Sequence, residues 1–121
     1  MPKRILVTGT FDLLHPGHIA FLREARKYGD ELYVLLASDK VVLRNKGQLP
    51  MQNEQERRDV LQNLEIVADV AIGNDVKGID GVLGLSPDVV VLGFDQYTEH
   101  SLLLENYCQS HLLEFYRLNK C

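Results

Sequence analysis

The sequence has no tryptophan, few aromatic residues (7%) and only two cysteines. Cys108 and Cys121 form no CxxC pair and belong to no zinc-binding pattern. Their number would allow one disulfide. We expect two reduced thiols in the cytoplasm instead, because the apolar stretch at the N-terminus is too short for a signal peptide. No apolar run approaches the roughly 18 residues of a membrane span, so no membrane partner is expected.

The chain also lacks a large excess of either charge, because 13 Lys and Arg residues and 17 Asp and Glu residues give a net charge of only −4. A general nucleic-acid-binding surface is therefore not expected, and a phosphate ligand would need a local basic cluster. The 121 residues, 45% hydrophobic and 25% charged, predict one globular domain over residues 1–121.

Short apolar runs alternate with helical patterns along the chain. Predicted strands cover residues 5–7, 32–37, 67–72, 89–92 and 113–117. Predicted helices cover residues 17–28, 53–64, 79–85 and 101–110. In the second helix Val60, Leu61 and Leu64 should face inward, and residues 44–50 read as a mobile loop. The alternation predicts an α/β fold: a single-domain, Rossmann-like, doubly wound and mainly parallel five-stranded sheet with helices on both faces.

The most informative segment is Gly-Thr-Phe-Asp-Leu-Leu-His-Pro-Gly-His at residues 9–18, between the first strand and the first helix. Pro16 suits the first helical position, which puts His15 at the cap and His18 in the first turn. Two imidazoles beside a helix N-terminus, with Gly17 allowing close approach, make a site for a polyphosphate. A single histidine there would more often be a solvated or core residue, but two that flank Pro-Gly favour function.

The segment matches neither a Walker A loop nor GxGxxG. It resembles the HxGH signature of the nucleotidyltransferase superfamily, in the cytidylyltransferase-like form GTFDxxHxGH. The resemblance extends to four further segments: Ser38-Asp39, Lys46-Gly47, the ERR run at 56–58 and PDVVVLGFDQ at 87–96. These runs look most like the archaeal FAD synthetase branch.

The resemblance implies that a phosphorylated acceptor attacks the α-phosphate of a nucleoside triphosphate and releases pyrophosphate. His15 and His18 would then bind the phosphates as catalytic residues. Mg²⁺ would be held by the triphosphate, with no dedicated protein metal site, and the chain would form a homodimer. The residues around the two histidines would contribute to nucleotide binding; these are Thr10, Phe11, Pro16 and Gly17.

Two cations outside the signature are candidates for phosphate binding. By resemblance, Lys46 is a third catalytic residue that reaches the β- and γ-phosphates, although its spacing alone favours a solvated loop lysine. Arg57 occupies the first turns of a helix, where a cation is unfavourable unless an anion is near. By resemblance it should reach a phosphate; the alternative is a surface residue or a pair with Glu54.

The remaining candidates for nucleotide or acceptor binding are mostly polar residues that follow strands. Gly93 and Asp95 follow the fourth strand, where a carboxylate could accept hydrogen bonds from ribose or base, and Asn119 falls where the family's closing segment would begin. Asp12 and Asp39 could contact the acceptor. Asp12 could instead orient its loop, and Asp39 could cap the next helix.

The Arg/Ser/Thr-rich motif that many family members carry near the C-terminus is not found in the given sequence. The resemblance therefore identifies the reaction class more closely than it identifies the base or the acceptor. We predict ATP and FMN as substrates and FAD as product. One alternative is a cytidylyltransferase acting on glycerol 3-phosphate or a similar polar phosphate, and another is a nucleotide-binding module without turnover.

Overall fold

A computed structural model describes residues 2–73, 87–92, 108–109 and 113–118 of the chain. These residues form an α/β fold with five strands and three helices described over their whole length, and residues 108–109 are helical as well. In chain order the elements are β1 (Arg4–Gly9), α1 (Pro16–Arg26), β2 (Glu31–Ala37), α2 (Asp39–Lys46), α3 (Glu54–Gln62), β3 (Asp69–Gly73), β4 (Val89–Leu92) and β5 (Glu114–Arg117).

The five strands make one sheet in the order β3-β2-β1-β4-β5, and every neighbouring pair is parallel. Leu6 of β1 lies opposite Tyr33 of β2 on one side and Val90 of β4 on the other. The chain moves outward from β1 to β3 and then returns to the other side of β1. Strand order therefore reverses between β1 and β4, and ligands in such sheets bind at the carboxyl ends of the strands at this point. The predicted fold class is confirmed.

Successive side chains of a strand point to opposite sides, and the central strands of the sheet are buried on both faces. Ile5 and Val7 face one core cluster together with Leu22 of α1 and Leu61 of α3. Leu6 faces a second cluster that contains Leu35, Val90, Leu92 and Cys108. The helix predicted over residues 79–85 lies outside the described residues, and so does most of the one over 101–110. Among the described residues, no helix has the length and apolar character needed to cross a membrane.

The loop predicted at residues 44–50 is wrong in its first part, because residues up to Lys46 belong to α2. Ser38 caps this helix, its Oγ accepting the Val41 N–H at 3.2 Å. Gly47 ends it in the left-handed conformation (φ 78°), which glycine adopts without strain. Lys46 therefore stands at a defined helix end.

The capping box that opens α3 is confirmed. Asn53 Oδ1 accepts the Glu56 N–H at 2.8 Å, and a Glu56 carboxylate oxygen accepts the Asn53 N–H at 3.0 Å. The inward orientation predicted for Val60 is wrong, since its side chain is 37% exposed while Leu61 is fully buried. Leu61 shares the buried face of α3 with Arg57, four residues earlier, and α3 ends at Gln62.

Candidate nucleotide site

The two histidines of the β1–α1 loop hold the N-terminus of α1 together. His15 is the N-cap residue and Pro16 the first helical residue, as the sequence predicts. His15 Nδ1 accepts the Gly17 N–H at 3.0 Å, and His18 Nδ1 accepts the His15 N–H at 3.1 Å. The rings stack with centroids 3.8 Å apart. The imidazoles thus occupy the positions that a serine and a glutamate take in an ordinary capping box.

This capping arrangement determines which tautomer each ring adopts when it is neutral. An Nδ1 that accepts a hydrogen bond has its lone pair toward the donor, so a neutral ring carries its proton on Nε2. His15 and His18 therefore both present an Nε2–H donor away from the helix backbone. Two neighbouring donors beside the partial positive charge of a helix N-terminus are suited to phosphate oxygens.

The surroundings of His18 favour its neutral form. Partial burial and the neighbouring His15 lower the pKa of His18, while Asp12 opposes the shift. The ring also lies in an edge-to-face arrangement with Phe11, with centroids 5.5 Å apart. His18 is therefore neutral over a wider pH range than an exposed histidine.

The backbone of the loop is held in an uncommon conformation. Phe11 and Leu13 have φ values of 51° and 50°, in the left-handed region that non-glycine residues seldom occupy. The Phe11 side chain anchors the loop in the core beside Phe21. A Cβ at Gly17 would lie 2.8 Å from the His15 ring, so glycine allows that ring to fold back over the helix start. Strain of this kind persists where the surrounding structure holds it, typically at functional sites.

Asp12 ties the loop to the segment before α3. Its carboxylate accepts the Met51 N–H at 2.8 Å and the Gln52 N–H at 3.0 Å. Burial raises the pKa of Asp12, but these two N–H groups and the positive charges of Arg57 and Lys46 lower it below its usual value. The orienting role considered for Asp12 matches this geometry, and its contact with an acceptor stays a prediction.

Arg57 and Asp39 form an ion pair beneath the loop. The Arg57 side chain is fully buried, and its Nη2 lies 2.7 Å from Asp39 Oδ1. Ser38 is the cap of α2, and Asp39 is its first residue. Arg57 pairs with Asp39 rather than Glu54, whose carboxylate accepts the Asp39 N–H at 2.9 Å. The phosphate contact predicted for Arg57 stays a prediction.

The structure brings most of the candidate residues to the carboxyl edge of β1 and β2, and three others lie outside the described residues. Gathered at this edge are Thr10, Phe11, Asp12, His15, Pro16, Gly17, His18, Asp39 and Arg57, while Lys46 is the last residue of the helix that Asp39 opens. Outside the described residues lie Gly93, Asp95 and Asn119. Sequence reasoning missed Gln52, whose side-chain oxygen accepts the Leu13 N–H at 3.2 Å. No local signal marks Gln52 beyond its place just before the Asn53 cap.

A profile of the cytidylyltransferase-like family matches residues 6–119. The chain belongs to this family. The membership accounts for a histidine pair at the carboxyl edge of a doubly wound sheet, and it makes the chain a nucleotidyltransferase, as the signature indicates.

Two similar proteins are archaeal enzymes named FAD synthase. The chain is 42% identical over 103 residues to the FAD synthase of Methanococcoides burtonii, an alignment that covers 85% of this chain and 71% of that protein. It is also 42% identical over 107 residues to the FAD synthase of Archaeoglobus fulgidus, covering 88% and 77%. A solved structure, the lipopolysaccharide core biosynthesis protein of Thermoplasma volcanium, superposes with a TM-score of 0.87 at 32% identity, covering 100% of this chain and 99% of that one.

Proposed function

We propose that this cytidylyltransferase-like enzyme transfers the adenylyl group of ATP to FMN and produces FAD and pyrophosphate. The observation that carries the proposal is the stacked pair of imidazoles at the N-terminus of α1, in which each Nδ1 accepts a backbone N–H and each Nε2 is left for a ligand. The substrates are supported by the relatives named FAD synthase, which align with most of this chain.

In the proposed reaction a phosphate oxygen of FMN attacks the α-phosphorus of ATP. A new O–P bond forms, and the bond from the α-phosphorus to the bridging oxygen of pyrophosphate breaks. Negative charge accumulates on the transferring and leaving groups. His15 and His18 would stabilise this charge with preorganised donors, and Lys46 would meet the β- and γ-phosphates. The loop backbone around Thr10 and Phe11 would position the α-phosphate.

We propose Mg²⁺ as the divalent ion, bound mainly through oxygens of the triphosphate. Mg²⁺ generally binds through one or two carboxylates together with substrate phosphates. The described residues contain no group of three or more His, Cys, Asp or Glu that could hold a metal ion. The carboxylates of Asp12 and Asp39 already accept hydrogen bonds from Met51, Gln52 and Arg57. Binding of the metal mainly by the nucleotide is compatible with these hydrogen bonds.

We also propose a cytoplasmic location, from composition.

Pyrophosphate release tests the reaction directly. ATP and CTP are each combined with FMN, riboflavin, glycerol 3-phosphate or no acceptor, and FAD is followed by chromatography. We expect release with ATP and FMN, and none with riboflavin, which lacks the attacking phosphate. Release with CTP and glycerol 3-phosphate would support the cytidylyltransferase alternative. Nucleotide binding without any release would support the binding module.

The choice of base is tested by competition between AMP and CMP. A site that hydrogen-bonds one base edge rejects the other base, because the wrong base leaves buried polar groups unpaired. We expect AMP to bind at least about tenfold more tightly than CMP, a difference of about 1.4 kcal/mol. Tighter binding of CMP would favour cytidylyl transfer.

We also propose a homodimer, on the family resemblance alone, with each nucleotide site formed mainly within one subunit. Sedimentation at micromolar concentration should detect a species of twice the mass of the chain. A species with the mass of one chain throughout this range would contradict the proposal.

A further inference from the structure

The side chain of Arg57 makes an unusually complete set of hydrogen bonds. Its Nε donates to the Gln52 carbonyl at 3.0 Å. Its Nη1 donates to the carbonyls of Thr10 at 2.9 Å and Ala37 at 2.7 Å. Its Nη2 donates to Asp39 Oδ1 at 2.7 Å. Four of the five N–H groups of the guanidinium are therefore directed at protein oxygens.

These partners come from separate parts of the chain that meet at the site. Thr10 follows the last residue of β1, and Ala37 is the last residue of the neighbouring β2. Asp39 opens α2, and Gln52 precedes α3. Gln52 also donates its N–H to Asp12, so the same guanidinium supports both the start of the β1–α1 loop and the segment to which that loop is tied.

The positive charge of Arg57 lies beside carbonyl oxygens at the carboxyl ends of β1 and β2. Carbonyl oxygens at the carboxyl ends of parallel strands would repel a phosphate bound at the same edge. A buried guanidinium that binds two of them offsets their negative potential, and a planar fork can do so in fixed directions. Lysine has the same charge but carries it on a single flexible ammonium, so it cannot reproduce the four bonds.

We infer that Arg57 is a positioning residue for the nucleotidyl transfer: its guanidinium, paired with Asp39, holds the Thr10 carbonyl and the 51–53 segment so that the histidine loop is preorganised. It acts through the loop and not by contact with a phosphate. The inference deepens the proposed function and rests on it for the reaction that is measured.

The test compares Arg57→Lys with the matched control Arg58→Lys, which makes the same change at the next position of α3. Hydrogen exchange is measured in the ligand-free proteins for peptides covering residues 10–14 and 50–53. The kcat and KM for the triphosphate are measured by pyrophosphate release at a temperature where circular dichroism shows every variant to be folded.

We expect Arg57→Lys to speed exchange of both peptides at least about tenfold and to lower kcat about tenfold or more, with KM changed by less than about threefold. Arg58→Lys should change neither. Unchanged ligand-free exchange together with a raised KM would overturn the inference and make Arg57 a phosphate ligand. Normal kcat in Arg57→Lys would overturn it as well.

If Arg57→Lys does not fold, Asp39→Asn replaces it, because an amide oxygen still accepts a hydrogen bond while the charge of the pair is lost. We expect a smaller increase in exchange of residues 10–14, and exchange equal to that of the unaltered protein would overturn the inference. Hydrogen exchange needs no substrate. A chain with no activity on any triphosphate would therefore count against the proposed function without changing this readout.

Discussion

Replacement of His18 separates its two roles, since the ring both completes the cap of α1 and presents a donor to the site. In His18→Ala the His15 N–H loses its acceptor at 3.1 Å, and the stacked ring at 3.8 Å is removed. A hydrogen bond at a solvent-accessible helix end contributes about 0.5 kcal/mol, and loss of the ring contact adds about as much. We therefore expect a destabilisation of about 1 kcal/mol.

The expected loss of catalysis is much larger. Removal of one preorganised donor typically lowers kcat by about 10²–10³, which corresponds to about 2.7–4 kcal/mol in the transition state. A domain with a stability of about 5–15 kcal/mol remains almost entirely folded after losing 1 kcal/mol. Unfolding therefore cannot account for a hundredfold loss of turnover in His18→Ala.

His18→Gln is the matched control. A glutamine at the third helical position can accept the N-cap N–H, as in an ordinary capping box, but it has no imidazole. We expect His18→Ala to lower Tm by about 3–5 °C and His18→Gln to leave it nearly unchanged, while both lose turnover. Calorimetric melts and pyrophosphate release measure the two effects. Turnover at the wild-type level in either variant would refute the catalytic role of the ring.

Three further predictions concern the same site. Because Lys46 is proposed to meet the distal phosphates, Lys46→Ala should weaken ATP binding far more than AMP binding in calorimetry; equal losses would place its ammonium elsewhere. Because the pKa of His18 is lowered in the folded protein, the unfolded chain takes up this proton first, so unfolding melts should show stability falling as pH drops below about 6.5. His18→Gln should flatten that dependence, and an unchanged slope would contradict it. Asp12→Ala should cost about 1 kcal/mol in denaturant unfolding, and Asp12→Asn, which keeps one acceptor oxygen, should cost less; equal costs would argue against the clamp on Met51 and Gln52.

The sequence by itself determined the alternation of strands and helices, the parallel sheet and the start of α1. The strands, the helices and the start of α1 follow from interactions within a few residues, and the parallel sheet follows from their alternation. The Val/Leu run of β4 indicates a strand covered on both faces, and Pro16 sets the helix start so that His15 becomes its cap. The HxGH signature is local for the same reason, because its two imidazoles bond backbone groups two and three residues away.

Only the tertiary structure decided what Asp12, Asp39 and Arg57 do. Asp12 binds N–H groups 39 and 40 residues away, and Arg57 binds a carbonyl 47 residues away. No periodicity or capping rule acts over such distances. A buried arginine and a surface arginine have the same local sequence pattern, and their roles diverge only when parallel strands bring β1, β2 and the start of α3 to one edge, where the carbonyl groups at the strand ends need a donor.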